Sequence, residues 1–212
     1  MYILNESLYF PPVIKADRHG LLAIGGDLRP ERLMLAYRSG IFPWFDEHDP
    51  ILWWAPPKRM VLFFPELKVS KSMRQVIRKG IFKVTVNQDF RAVMLACKHI
   101  YREGQDGTWI TDEMVEAYCA LHSQGIAQSV EVWQDDLLVG GLYGVDLGHI
   151  FCGESMFSKV PNASKTAFIY WAQQLESKGY KLLDCQNHND HLASLGAREI
   201  SRDAFMSILS KG

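Results

Sequence analysis

A carboxylate and a carboxamide stand two residues apart near the C-terminus, where an apolar run gives way to a polar cluster. The sequence from 182 to 197 reads LLDCQNHNDHLASLGA, and it places Asp184 and Gln186 before the expected turn. Residues two apart in a strand lie on one face. Both side chains are therefore expected at the end of the strand, at the opening of a binding site. Burial of a carboxylate there is costly without a partner. This pair is therefore the leading candidate active site.

The polar residues that follow have a plainer explanation as turn and helix-capping residues. A short helix is expected to begin near Asn189. A metal hydrolase that uses His188, Asp190 and His191 is an alternative, but capping accounts for these residues. We therefore expect no metal site.

A second carboxylate is expected beside the Asp184 strand. In the segment FCGESMF (151–157), Gly153 is expected to break a strand and Glu154 supplies the carboxylate. A helix expected from 163 to 178 lies between this strand and the last one, an order compatible with a parallel strand-helix-strand unit. Ligands bind off the carboxyl ends of strands in such sheets, so a pocket with two carboxylates is predicted. The apolar wall of this pocket is expected to comprise Phe151, Met156 and Phe157. The alternative is that these three side chains only pack in the core.

One stretch is strongly basic, although the net charge of the chain is only -1. Residues 58–79 hold seven basic residues against one acid, Glu66. Within this stretch, SKSMRQVIRKG predicts a short helix that Ser70 caps and Gly80 ends, with basic side chains on one face. That face is either a solvated helix surface or a contact to a phosphate backbone. The basic residues are Lys58, Arg59, Lys68, Lys71, Arg74, Arg78 and Lys79.

The composition is that of a globular protein with an ample core: 212 residues, 48% hydrophobic and 12% aromatic. No run approaches the ~20 apolar residues of a membrane helix, and the N-terminus does not resemble a secretory signal. We therefore expect a cytoplasmic protein with no membrane partner. The four cysteines are widely spaced, which favours reduced thiols over a zinc site.

The elements that must position these residues divide into two regions. The first 57 residues are rich in turn formers and aromatic residues around one helix from about 30 to 39, and a boundary is placed near Pro57. This gives a small domain at 1–57 and a larger one at 58–212. In the larger region strands and helices are mixed. We expect strands at 82–86, 128–132, 137–145, 149–152 and 180–185, and helices at 90–100, 112–123 and 163–178.

Eight short strings follow one another over nearly the whole chain: GGDL (25–28), GIFPWF (40–45), ILWW (51–54), GTWI (107–110), FCGESMFS (151–158), NASKTA (162–167), DCQ (184–186) and ASLGA (193–197). In this order they resemble the bacterial leucyl/phenylalanyl-tRNA-protein transferases. The resemblance implies an α+β fold, with a small N-terminal domain and a GNAT-like (acyl-CoA N-acyltransferase-like) mixed-sheet domain. It also implies transfer of Leu or Phe, and less well Met, from Leu-tRNA or Phe-tRNA to the N-terminal Arg or Lys of acceptor proteins. That transfer marks them for N-end-rule degradation.

The resemblance also implies roles for individual residues. Asp184 and Gln186 would be catalytic: Asp184 acts as a base or orients Gln186, or the pair positions the substrate while a tRNA hydroxyl shuttles the proton. Trp44 and Trp109 would stack near the 3′ adenosine. The rest of the aminoacyl site would comprise Leu142, Phe151, Glu154, Met156, Trp171 and Leu175. The tRNA acceptor stem would lie on Lys71, Arg74, Arg78 and Lys79. The donor ester is already activated, so no cofactor is expected, and a monomer is expected.

Two other functions compete with this one. An acetyl-CoA-dependent N-acetyltransferase would share the fold, but its pyrophosphate normally lies on a basic, glycine-containing loop that opens a helix. Here the helix after the hairpin opens with PNASK (161–165), which has no glycine. A non-enzymatic RNA-binding module would leave Asp184, Gln186 and Glu154 without a purpose. A test of labelled Phe-tRNA against acetyl-CoA separates the two enzymes.

Overall fold

Four short strands near the N-terminus form a sheet that the sequence pattern did not predict. The computed structural model describes residues 1–100 and 108–212. The small sheet has the order β1-β2-β4-β3 and comprises β1 (Tyr2–Leu4), β2 (Leu21–Gly25), β3 (Phe42–Pro43) and β4 (Leu52–Trp54). These strands are too short for a visible alternation of apolar and polar residues. The one helix expected here is α1 (Pro30–Arg38), and it is followed by Gly40 at a φ of 74°.

The larger sheet has seven strands in the order β11-β5-β10-β9-β8-β7-β6. Strands β9 and β10 are parallel, as the strand-helix-strand order predicted, and the other neighbours in this sheet are antiparallel. The strands are β5 (Lys58–Leu62), β6 (Lys83–Val86), β7 (Ala127–Gln134), β8 (Leu137–Asp146), β9 (Ile150–Ser158), β10 (Leu182–Gln186) and β11 (Arg198–Ser201).

Several of the helices begin directly after a residue whose side chain caps them. Ser70, Thr111 and Asn189 each accept a hydrogen bond from a backbone N–H in the first turn of the following helix. None of the helices in the described ranges is long and apolar enough to cross a membrane. The helices are α2 (Lys71–Arg78), α3 (Phe90–His99), α4 (Asp112–Ser123), α5 (Ala163–Ser177), α6 (Asp190–Ser194) and α7 (Arg202–Leu209).

Two apolar clusters cover the two faces of the larger sheet. One of them joins side chains of the N-terminal region, such as Phe42 and Trp53, to Tyr118 of α4. The other lies under α5 and includes Phe168. The expected boundary near Pro57 falls between β4 and β5 and stays a prediction. Gly107, the first residue of the GTWI string, lies outside the described residues.

The expectation that Gly153 breaks a strand is wrong. Strand β9 continues through Gly153 to Ser158, because it remains paired with β8 along this length. The hairpin of β8 and β9 is therefore longer than predicted, and it carries Glu154 inside the sheet rather than in a loop.

Candidate active site

Two irregularities on neighbouring strands aim polar side chains at each other. The register of β9 against β8 shifts between Tyr143 and Gly144, so that Glu154 has no opposite residue. The register of β10 against β5 shifts between Asp184 and Gln186, and Gln186 has a φ of 62°. Bulges of this kind redirect side chains and are common beside active sites. Here the Gln186 Nε2 atom donates a hydrogen bond of 2.6 Å to Glu154 Oε1.

A cavity of about 330 Å³ opens beside this hydrogen bond. The indole rings of Trp44 and Trp109 form part of its wall, and Trp44 remains 45% exposed. The apolar part of the lining includes Leu142 and Met156, which face each other across β8 and β9. The other apolar residues that line the cavity include Phe151, Phe168 and Leu183, and the polar ones include Glu154, Gln186, Asn187, His188, Asn189 and His191.

Asp184 does not open on this cavity, so the expectation that it would share the mouth with Gln186 is wrong. Its side chain is fully buried, and its two oxygens accept hydrogen bonds of 2.8 and 2.6 Å from Arg59 Nε and Nη2. The Gln186 backbone N–H also donates to Asp184 Oδ1, at 2.9 Å. The bulge breaks the simple alternation, so one side chain faces the cavity and the other lies beneath it. Asp184 is consequently not free to pair with a cationic acceptor.

Arg59 is the residue that sequence reasoning missed. It was counted within the basic stretch, but its guanidinium lies 4.6 Å from the ring centres of both Phe42 and Phe205 and donates to the Gly40 carbonyl. Burial alone would lower the pKa of Arg59, but the Asp184 carboxylate raises that pKa above its ordinary value. A signal was present: a buried Asp184 requires a cationic partner, and Arg59 directly precedes the apolar run MVLFF (60–64).

Glu154 is partly buried, and its two carboxylate oxygens accept hydrogen bonds from different neighbours, Gln186 and Tyr118. Its Oε2 accepts a hydrogen bond of 3.2 Å from the Tyr118 hydroxyl, and Tyr118 is hydrogen-bonded in turn to Tyr37. Burial raises the pKa of Glu154 to about 8, although the hydroxyls of Tyr37 and Tyr118 act to lower it. Neither tyrosine was singled out from the sequence, because they lie 81 residues apart.

Two predicted pocket residues lie behind the cavity. Trp171 packs edge-on against Phe151, with ring centres 5.3 Å apart, and is almost fully buried. Leu175 lies with it in the core under α5. These two side chains support the wall of the cavity without lining it.

The predicted basic residues Lys71, Arg74, Arg78 and Lys79 are all exposed, on α2 or directly after it. Their side chains enter no ion pair with an acidic residue of the described ranges. Met73 anchors the opposite face of α2 in the core. The charge of this helix is therefore available to a partner.

His188 lines the cavity and contacts the exposed Asp190 at 3.0 Å, while Asn189 caps α6. In residues 1–100 and 108–212 no group of three or more His, Cys, Asp or Glu side chains could hold a metal ion.

Comparisons with known proteins identify relatives over the whole length. A family model described as "Leucyl/phenylalanyl-tRNA protein transferase" matches residues 61–210, and a model of that family's N-terminal domain matches residues 26–57. This chain is also similar to proteins named leucyl/phenylalanyl-tRNA–protein transferase from two flavobacteria. The one from Flavobacterium johnsoniae is 69% identical over 209 residues, 99% of each chain. The one from Flavobacterium psychrophilum is 62% identical over 211 residues, 100% of each chain.

Solved structures are similar at low sequence identity. A GCN5-related N-acetyltransferase from Kribbella flavida has a TM-score of 0.44 at 13% identity, over 79% of this chain and 60% of that one. The crystal structure of FemX has a TM-score of 0.50 at 10% identity, over 81% of this chain and 66% of that one. The predicted α+β class with a mixed sheet is confirmed, and the likeness to FemX concerns the fold alone.

Proposed function

Because the chain belongs to the leucyl/phenylalanyl-tRNA protein transferase family and is an aminoacyltransferase, we propose that the ester and the acceptor amine meet beside Gln186. The acceptor is the N-terminal Arg or Lys of a protein, which the transfer marks for N-end-rule degradation. Leu and Phe are the preferred donors and Met a poorer one. The protein acts in the cytoplasm, where aminoacyl-tRNA is made, and it acts as a monomer.

The chemistry requires orientation and removal of a proton more than it requires energy. The donor ester is activated, and amide formation from it is downhill. An α-amine has a pKa of roughly 7.7 to 8.0, so it must reach the ester as the neutral form. The site must therefore hold the amine nitrogen against the ester carbonyl and accept or relay one proton. As the C–N bond forms, the ester C–O bond breaks, and the tRNA leaves as its ribose hydroxyl after its oxygen takes up a proton.

Gln186 is suited to hold the amine. Its Nε2 atom already donates to Glu154, so its Oε1 atom is left to accept a hydrogen bond from the attacking amine. The carboxylate of Asp184 fixes the backbone N–H of Gln186 from below. Of the two roles open to Asp184, this contact favours orientation: Asp184 is a positioning residue that acts through Gln186, and Arg59 holds it there.

Glu154 is suited to receive the proton. Burial raises the pKa of Glu154 to about 8, which is close to the pKa of an α-amine, and general bases work best when the two values are matched. The carboxylate also attracts the α-ammonium of the acceptor before it loses its proton. The hydrogen bond between Gln186 and Glu154 at the wall of the cavity is the observation that carries this proposal.

The remaining parts of the donor have complementary surfaces. The apolar wall that includes Leu142, Phe151 and Met156 takes an unbranched or γ-branched side chain. Trp44 and Trp109 stack on the 3′ adenosine. The exposed cations of α2 contact the phosphate backbone of the acceptor stem rather than its bases.

A transfer assay with two donors tests the function. Labelled Phe-tRNA is expected to label a peptide that begins with Arg, but not the same peptide with an acetylated N-terminus. Labelled acetyl-CoA is expected to give no product, and acetylation of the Arg peptide would favour the N-acetyltransferase instead.

The site is tested with Gln186→Ala and Glu154→Gln. Each is expected to lower kcat by about 100-fold, within the usual range for loss of acid-base or positioning groups. Asn187→Ala, at the neighbouring cavity residue, is the matched control and should retain most of the rate. Full activity of both site variants would remove this pair from the reaction.

A further inference from the structure

A series of buried hydroxyl groups ends at the carboxylate of Glu154. Tyr37 of α1 and Tyr118 of α4 are 1% and 0% exposed, and their hydroxyls are hydrogen-bonded to each other. Tyr118 then donates to Glu154 Oε2, and Gln186 donates to Glu154 Oε1. Four side chains from four different elements are thereby joined in one network.

The direction of the network follows from its two ends. Gln186 can only donate through Nε2, and when Glu154 is ionised it can only accept. The Tyr118 hydroxyl proton is committed to Glu154, so Tyr37 donates to the Tyr118 oxygen. Each donor in the series orients the next group, and the last group oriented is the carboxamide of Gln186.

We propose that Tyr118 and Tyr37 are positioning residues of the transfer reaction, which hold the Glu154 carboxylate so that Gln186 presents its carbonyl oxygen to the amine. This inference rests on the proposed function of Gln186 and Glu154. Neither tyrosine contacts the substrate in this scheme. The two tyrosines restrict the movement of the Glu154 side chain and stabilise its ionised form, because hydrogen bonds within a buried network are stronger than in water.

Tyr37 connects the N-terminal region to Glu154 through Tyr118. Its helix, α1, stands between β2 and β3 of the small sheet in chain order, whereas Glu154 belongs to the larger sheet. Tyr37 also packs in the cluster that includes Trp53 of β4 and Tyr118. The orientation of Glu154 therefore depends on how the N-terminal region packs against α4.

The charged and titratable groups around Glu154 set its response to pH. Burial raises the pKa values of Tyr37 and Tyr118 well above their ordinary value, and the Glu154 carboxylate adds to this, so both tyrosines stay protonated donors. The charged and titratable groups around Glu154 are Tyr37 of α1, Tyr118 of α4, Asp184 of β10, Arg59 of β5 and Cys152 of its own strand β9.

The test is the pH profile of kcat for Tyr118→Phe. Loss of a donor to the ionised carboxylate should move the acid limb of the profile upward by about one pH unit and lower kcat at pH 7 by about 10-fold. The KM for aminoacyl-tRNA should not change. The double variant Tyr37→Phe, Tyr118→Phe leaves no orphaned hydroxyl and should behave in the same way. Tyr180→Phe, which removes a hydroxyl that donates to Asp146, is the matched control and should leave the profile unchanged.

A double-mutant cycle separates this inference from the proposed function. In a Glu154→Gln background, Tyr118→Phe should cause little further loss of kcat, because the group it positions is gone. An equal loss in both backgrounds, or an unshifted acid limb in both tyrosine variants, would overturn the inference. If Glu154→Gln and Gln186→Ala themselves keep the full rate, the proposed function of the site fails first, whatever the tyrosine variants do.

Discussion

Arg59 and the basic residues of α2 come from one basic stretch of the sequence, yet the fold gives them opposite environments. Arg59 is 2% exposed and forms a bidentate ion pair with Asp184 under the cavity. Arg74 and Arg78 are exposed on α2 and have no acidic partner in the described ranges. The buried cation holds catalytic groups in place, whereas the exposed ones provide a charged surface for an anionic partner. The roles of clustered basic residues in a sequence can therefore be assigned only when the burial and the ion-pair partners of each side chain are known.

The largest effect is expected from Arg59→Met. This change leaves the Asp184 carboxylate buried without a partner, which typically costs about 3 to 5 kcal/mol. It also removes the contacts of the guanidinium with the Phe42 and Phe205 rings. Urea unfolding should show this loss of stability, and transfer activity should fall with it.

The control for this prediction is the double variant Arg59→Met, Asp184→Asn. Replacing both charges should restore a large part of the stability, since an uncompensated buried charge is the main cost. It should not restore the rate, because the contact from the Asp184 carboxylate to Gln186 is altered. Equal instability of the single and double variants would mean that ring packing, and not charge, dominates at Arg59.

The buried region should also give stability a pH dependence of its own. Burial raises the pKa of Glu154 from 4.5 to about 8, so between these pH values the folded protein holds more protons at this group than the unfolded chain does. The free energy of unfolding should therefore fall as pH rises through this window, with a slope of at most about 1.4 kcal/mol per pH unit for one proton. Glu154→Gln should remove this contribution, and Arg74→Gln on α2 should leave it intact. Urea unfolding at several pH values between 5 and 8 measures both, and an unchanged slope in Glu154→Gln would assign it to other groups.

Charge reversal on α2 should act on binding alone. Arg74→Glu with Arg78→Glu is expected to raise the KM for aminoacyl-tRNA by roughly 10-fold at low salt, because two phosphate contacts become repulsive. The kcat and the stability should hardly change. Steady-state kinetics at two salt concentrations should show a weaker salt dependence of KM than in the parent protein. Lys211→Glu, an exposed reversal at the far end of the chain, is the control, and an equal effect there would point to general electrostatics.

The smallest effect is expected in the apolar wall of the cavity. Leu142→Ala enlarges the cavity beside Met156 and should favour Phe over Leu by about 5-fold in kcat/KM, since pocket methylenes are worth only ~1–3 kcal/mol. Competition between Phe-tRNA and Leu-tRNA measures the ratio. Leu137→Ala, on the exposed part of the same strand, should leave it unchanged, and an unaltered ratio in Leu142→Ala would show that this position does not set the preference.

Much of the larger region could be predicted because its signals are local. The expected helices at 112–123 and 163–178 match α4 and α5 within a residue, since caps and terminal glycines lie next to the elements they delimit. The parallel pairing of β9 and β10 also followed from the order of elements. The N-terminal sheet could not be predicted, because three of its four strands have only two or three residues and carry no periodicity.

The sequence by itself determined the family, the α+β class, the capped helices and the residue types that any active site must use. Only the tertiary structure decided which charges are buried, since Arg59 meets Asp184 across 125 positions and Tyr118 meets Glu154 across 36. It also decided that Gln186 faces the cavity while Asp184 supports it. The physical reason is that pairing between distant strands, and the bulges within it, depends on register and burial, which no local pattern of residues specifies.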